Sequence, residues 1–135
     1  MGRLILILGG ARSGKSSYAQ SQADETGKPV TFIATAQALD EEMSTRIRKH
    51  QAERPAHWET FELPSDIASH VGQIKSEVVV LDCITLLVSN LVMQYAKDDL
   101  VDETPFMQAV QKEVEDLIKT VRALERKQDW FVISN

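Results

Sequence analysis

The sequence predicts an α/β fold in which a mostly parallel sheet is covered by helices on both faces. Three observations predict it. Short apolar, β-rich runs alternate with longer amphipathic stretches, the runs at 4–8 and 78–81 are apolar without interruption, and helix-stopping or helix-capping residues separate the two kinds of segment. Length agrees: 135 residues, 43% hydrophobic and 26% charged, supply one packed core and are too few for two, so a single domain over 1–135 is expected.

The elements follow in order. Leu4 to Leu8 reads as a buried strand within 3–8, because the run is short and leads into a glycine-rich segment instead of a small-residue cleavage site. A helix over 15–26 is stopped by Gly27-Lys28-Pro29, and a strand follows at 30–35. Asp40 can cap a helix over 40–52. After a strand at 58–62, Pro64-Ser65 opens a helix expected over 65–75, in which His70 reads as a surface or core residue. A strand at 77–82 leads into a helix over 84–96. Its run from Ile84 to Met93 is interrupted by Ser89 and Asn90 and falls short of the roughly 18 apolar residues a bilayer span needs. The stretch from Lys97 to Thr104 carries four acids and one lysine and reads as a solvated turn. Val110, Val114, Leu117, Ile118, Val121 and Leu124 recur at helical spacing within 104–127, so the charges there form the outer face. A strand at 129–134 completes the set. No repeat, low-complexity tract or interdomain linker interrupts it.

The net charge of -5 and pI near 5.2 argue against nucleic-acid or membrane-surface partners held by bulk attraction. Any anionic ligand must be held by a local site. Cys83 is the single cysteine, which excludes an internal disulfide and a multi-thiolate metal site and fits a reducing, cytoplasmic setting. It reads most simply as a small buried apolar residue.

Such a local site stands at Gly9-Gly10-Ala11-Arg12-Ser13-Gly14-Lys15-Ser16, a full G-x-x-x-x-G-K-[ST] between a strand and a helix. Glycines suit a backbone bent around an anion, since successive N–H groups then point inward at phosphate oxygens. Lys15 supplies a point charge for the β and γ phosphates, Ser16 a hydroxyl suited to Mg²⁺, and the following helix its positive end. A glycine-rich turn that only links strand to helix is the alternative, and the intact motif in its setting argues against it. Val78-Val79-Val80-Leu81-Asp82 ends an apolar strand in an acid, so Asp82 is the candidate metal-site carboxylate, expected on a strand neighbouring the loop. Capping of the helix that begins near Ile84 is its structural alternative. Together these features specify a P-loop NTPase-like three-layer fold binding a nucleoside triphosphate and Mg²⁺, without saying what is done with them.

The segment 31–62 discriminates further. In a helix over 40–52, Arg46 and His50 share a face at i and i+4, with Arg54 just beyond the end. Two guanidiniums around an imidazole favour the neutral, nucleophilic ring and could neutralise phosphates brought to it. A surface histidine at a basic helix terminus is the plain alternative. His57 and Trp58 could face a ligand or a partner subunit, although a Pro-Ala-His-Trp turn entering a strand reads equally as packing.

Gly9 to Ser16, Ile33-Ala34-Thr35-Ala36, Asp40-x-Glu42-Met43, Arg46-Ile47-x-x-His50-x-x-x-Arg54-Pro55, Trp58-x-Thr60-x-Glu62 and Asp82-Cys83-Ile84-Thr85 occur together. With these motifs the chain resembles, from Arg3 to Asn135, the bifunctional adenosylcobinamide kinase/adenosylcobinamide-phosphate guanylyltransferases of cobalamin biosynthesis. The resemblance implies two reactions. A nucleoside triphosphate, ATP or GTP, phosphorylates adenosylcobinamide. GTP then donates GMP to adenosylcobinamide phosphate through a guanylyl-histidine, giving adenosylcobinamide-GDP. Carried over by motif, His50 and Lys15 would be catalytic. Gly9, Gly10, Ala11, Arg12, Ser13, Gly14, Lys15 and Ser16 would bind the triphosphate, and Ser16 and Asp82 would hold Mg²⁺. Ala34, Thr35, Ala36, Gln51, Ala52, Glu53, Arg54 and Glu62 would border the nucleotide, with Glu62 suited to accept from guanine N1–H and N2–H₂. A trimer is also implied.

Relatives that the chain resembles continue past Val132-Ile133-Ser134-Asn135 with an acidic, glycine-containing loop, a further helix and a closing strand. A C-terminally shortened domain is therefore expected, with apolar surface and unpaired backbone groups at its sheet and a weakened trimer. A plain small-molecule kinase and a nucleotide-binding module without turnover are the competing readings.

Overall fold

The computed structural model describes residues 2–10, 12–97, 100–101, 103–123 and 128–135. In chain order the elements are β1 (Arg3–Leu8), α1 (Lys15–Glu25), β2 (Val30–Ala34), α2 (Glu41–Glu53), β3 (Glu59–Glu62), a 3-10 turn (Ala68–Gln73), β4 (Val78–Asp82), α3 (Ile84–Tyr95), β5 (Ala96–Lys97), β6 (Leu100–Val101), α4 (Glu103–Ala123) and β7 (Asp129–Ser134). Strands β1, β7, β4, β2 and β3 form, in that order, a five-stranded sheet whose pairings are all parallel. The α/β class expected from the alternation is therefore the one observed.

The sheet separates two apolar layers, as strand alternation requires. On one face Phe32, Val78, Val80, Phe131 and Ile133 pack with Ala19 and Ala23 of α1; on the other Ile33, Val79, Leu81, Trp130 and Val132 pack with Leu87 of α3 and Leu117 of α4. Each fully buried Leu, Ile or Val contributes about 1.5–3 kcal/mol of burial free energy, which ties both helix layers to the central strands.

Four expectations need correction. First, β1 is an edge strand and only half-buried: Ile7 faces the core, whereas Leu4, Leu6 and Leu8 are 49%, 54% and 65% exposed. Among the described residues α1 packs on one of its faces, and β7 is its strand neighbour. The last strand, β7, is instead paired on both sides, so the exposed apolar surface lies on β1. Second, the helix expected over 65–75 is the short 3-10 turn. Asp66 sits at φ 56, and Glu113 of α4 accepts from the backbone N–H groups of Asp66 and Ile67 at 3.0 Å each, satisfying donors that an α-helix would have left open. Third, the turn from 97 to 104 contains a small antiparallel pair, Ala96–Lys97 with Leu100–Val101, and gives its last residues to α4. Fourth, β4 does not adjoin the strand that carries the glycine-rich motif, because β7 lies between them. Residues 124–127 of the expected last helix, Leu124 among them, lie outside the described residues. None of the described helices is long and apolar enough to cross a membrane.

Candidate functional site

Between β1 and α1 the motif turns tightly. Gly14 stands at φ 85, a left-handed conformation open to glycine, and a Cβ on Gly9 would come within 2.6 Å of Ser13 Oγ. Gly14 caps α1 without a side-chain acceptor, so first-turn N–H groups stay open at the positive end of the helix. Arg12, also left-handed at φ 61, and Ser13 are exposed on the loop; Ala11 lies outside the described residues. Lys15 Nζ donates to Gly10 O at 2.9 Å, folded across the loop where an anion would compete for it. Such a loop can cradle phosphate oxygens.

Although β4 is two strands from β1, α1 crosses the sheet and brings its first turn over the end of β4. Ser16 Oγ donates to Asp82 Oδ2 at 2.8 Å. The two metal candidates therefore meet, and the helix-capping alternative for Asp82 fails: the N-cap of α3 is Cys83, which makes no side-chain cap. These hard oxygen donors suit Mg²⁺ with phosphate and water completing the shell. No cluster of three or more His, Cys, Asp or Glu that could hold a metal occurs among the described residues, so a metal here would need the nucleotide's own oxygens.

Behind Asp82 runs a buried polar lattice. Thr35 Oγ1 donates to Cys83 O at 2.8 Å and accepts from Cys83 N at 2.9 Å, and Thr35 N donates to Asp82 O at 3.1 Å. Asn90 Nδ2 of α3 donates to Thr35 O and to Pro64 O, both at 2.8 Å. The lattice fixes the ends of β2 and β4 to each other and to the segment after β3, leaving Ala34 and Ala36 half-buried beside it. Burial pushes the Cys83 thiol up, consistent with an inert packed side chain.

His50 occupies a different setting. Asp40 Oδ1 accepts from Met43 N at 2.7 Å and caps α2, as its sequence position predicts, but α2 buries none of its residues. His50, Gln51, Ala52 and Glu53 are all exposed on its last turns, and His50 Nδ1 lies 3.9 Å from Glu53 Oε2. The imidazole is thus not flanked by two guanidiniums. Arg46 shares its helix, but Arg54 turns away into the protein, where its Cζ sits 4.1 Å from the Phe32 ring centroid. Burial pushes the Arg54 pKa down, opposed by the carboxylates of Asp82 and Glu62, so this guanidinium lies in the field of both. Among the described residues no hydrogen bond joins His50 to the glycine-rich loop.

Between the end of α2 and β3 lies an open groove of about 480 Å³. Gln51, Arg54, Trp58, Thr60 and Glu62 line it, and Gln51 Nε2 donates to Glu62 Oε1 at 3.1 Å. Of the pair left open by the sequence, Trp58 is packed beneath α1 beside Phe32 and His57 is exposed. The structure therefore gathers predicted residues into two clusters, the loop with Asp82 and the groove with Arg54 and Glu62, and leaves the exposed His50 outside both. Sequence reasoning missed Phe32 and Asn90 as parts of the site. Asn90 carried a signal, a polar interruption in an otherwise apolar helix; Phe32 carried none, since nothing local announces that Arg54 folds back over it.

Comparisons with known proteins identify the family. The family model described as cobinamide kinase / cobinamide phosphate guanyltransferase matches residues 5–135. The chain is 41% identical over 120 residues to the bifunctional adenosylcobalamin biosynthesis protein CobU of Escherichia coli (strain K12), covering 85% of this chain and 66% of that protein. It is 50% identical over 93 residues to the bifunctional adenosylcobalamin biosynthesis protein CobP of Pseudomonas aeruginosa, covering 65% and 52%. The CobU protein of Salmonella typhimurium is 34% identical over 122 residues, covering 89% and 66%. The chain thus spans between about half and just under two thirds of the length of these curated relatives. A match over nearly every residue places the chain in the cobinamide kinase / cobinamide phosphate guanyltransferase family.

Proposed function

We propose that this protein phosphorylates adenosylcobinamide with ATP or GTP and then transfers GMP from GTP to adenosylcobinamide phosphate through His50. The observation that carries the reading is the meeting of Ser16 and Asp82 beneath an open glycine-rich loop, within one residue string that also holds the His50 segment. In the kinase step the loop N–H groups from Gly9 to Ser16 hold the triphosphate, and Lys15 leaves Gly10 O for the β and γ phosphates. The substrate hydroxyl attacks the γ-phosphorus and forms a new P–O bond, the bond from that phosphorus to the β,γ-bridging oxygen breaks, the nucleoside diphosphate leaves with the bridging oxygen, and the hydroxyl proton passes to solvent. Mg²⁺ held by Ser16 and Asp82, directly or through water, would neutralise charge on the phosphates.

For guanylyl transfer, an imidazole nitrogen of His50 attacks the α-phosphorus of GTP and pyrophosphate leaves. A phosphate oxygen of adenosylcobinamide phosphate then displaces the imidazole, breaking the P–N bond and giving adenosylcobinamide-GDP. Splitting the transfer replaces one difficult displacement by two easier ones. Gln51, Ala52, Glu53, Arg54 and Glu62 border the nucleotide, with Ala34, Thr35 and Ala36 on its other side. We infer a cytoplasmic enzyme, supported by the lone buried thiol, and a homo-oligomer, a trimer by resemblance. Nucleic acid is no partner on this reading, in keeping with the net charge of -5.

The test is product analysis by mass spectrometry after incubation with adenosylcobinamide, ATP and GTP. The native chain should yield the phosphate and then the GDP ester; His50→Ala should stop at the phosphate, and Lys15→Ala should yield far less of both. A native chain that stopped at the phosphate would favour the plain small-molecule kinase, and a His50→Ala variant that still produced the GDP ester would remove His50 from the transfer. Nucleotide binding without either product would favour the binding module.

A further inference from the structure

Among the described residues, two buried side-chain N–H groups have no hydrogen-bond partner, Arg54 Nη1 and Trp58 Nε1. Both residues line the groove between α2 and β3, which also presents the Glu62 carboxylate. Buried polar groups are as a rule paired, so two orphaned donors in one groove point to an acceptor supplied by a ligand. Trp58 is 7% exposed and Arg54 9%, so bulk water does not serve them. Their positions differ. Arg54 stacks on Phe32 and lies in the field of Asp82. Trp58 immediately precedes β3, and Glu62 ends it.

We propose that Trp58 is a specificity-determining residue, its indole N–H donating to O6 of a guanine base whose N1–H and N2–H₂ are accepted by Glu62. This rests on the reading above in which the groove takes the base of a guanine nucleotide. The chemistry is selective because the ligand must present an acceptor at one end and donors at the other. Guanine does so along one edge. Adenine offers an amino donor where O6 would stand and an unprotonated N1 facing the carboxylate, so both ends of the site would be mismatched. The chain accommodates this span: at about 3.3 Å per residue, Trp58 and Glu62 lie roughly 13 Å apart along the backbone, leaving room for a planar base between their side chains. Gln51 occupies one oxygen of Glu62 and leaves the other to the base.

Trp58→Phe tests the assignment, because it keeps an aromatic ring and removes the N–H donor along with part of the indole. Binding of GMP, IMP and 2-aminopurine riboside 5′-monophosphate to the full chain is measured by calorimetry. GMP and IMP, which carry O6, should weaken about tenfold, while the 2-aminopurine nucleotide, which lacks it, should be unchanged. The smaller ring leaves a cavity that lowers the melting temperature whatever the role of the N–H, so the readout is the contrast between the ligands. Unchanged GMP affinity, or an equal loss for all three ligands, would overturn the role of Trp58. Glu62→Gln separates the two layers of the argument. If it weakens GMP while Trp58→Phe does not, the base lies in the groove and Trp58 is only packing; if neither variant affects GMP, the groove reading falls with it.

Discussion

Helix α3 sinks Leu87, Asn90 and Leu91 into the protein, whereas α2 buries none of its 13 residues. Both helices follow strands of one parallel sheet and both carry candidate site residues, yet their anchoring is opposite. Asp82, at the root of α3, is braced by Ser16, Thr35 and, through Thr35, Asn90. His50 is held through the two ends of its helix: Asp40 caps the start, and beyond the last turn Arg54 inserts over Phe32. Phosphate binding demands fixed donors around a small anion, which a sheet and a buried lattice supply. A nucleophile that must reach a phosphorus and then present it to a second substrate is better served by an element with little packing to lose.

The contrast can be broken or sharpened by experiment. Lys15→Ala should lower phosphoryl and guanylyl transfer by about two to three orders of magnitude, the scale of removing one preorganised electrostatic contact. His50→Ala should abolish guanylyl transfer alone, and unequal loss in the two product assays would confirm the division of labour. In stability, Leu87→Ala should cost about 2–5 kcal/mol in denaturant unfolding, while Ile47→Ala on α2 should cost about 1 kcal/mol or less. Equal costs would show that α2 is packed after all. Asp40→Ala should remove about 1 kcal/mol of capping, read as faster hydrogen exchange in α2 with exchange in α3 unaltered.

The smallest effect concerns the edge strand. The Arg3 guanidinium, donating to Asp129 Oδ2 at 3.2 Å, holds that carboxyl below its ordinary value of 3.8. A lowered folded-state value stabilises the fold above the unfolded-state pKa, and this contribution disappears as pH falls through the folded value. Asp129→Asn should therefore flatten the loss of stability between the native protein's neutral and strongly acidic melts, below about pH 4. An identical acid profile would remove the ion pair from the account.

Much of this was legible in the sequence because it is written locally. The loop from Gly9 to Ser16, the Asp40 cap and the apolar strand ending in Asp82 each combine residue type with immediate neighbours, and the structure bears out the cap and the strand ends to within a residue or so. What escaped depends on distant chain. The 3-10 turn forms because Glu113, nearly fifty residues on, takes its opening N–H groups. Arg54 reads as a companion of His50 from spacing, but a ring on β2 draws it inward. The insertion of β7 between β1 and β4 is a matter of strand order, which hydrophobic pattern does not encode.

The central claim is that His50, on the loosely packed helix, becomes covalently guanylylated by a triphosphate bound at the glycine-rich loop. Intact mass after incubation with GTP and Mg²⁺, compared with His50→Ala, addresses it most directly. The account predicts a GMP-sized gain on the native chain that acid removes and that the variant lacks. A native chain that binds GTP without gaining mass, or an equal gain on the variant, would contradict it.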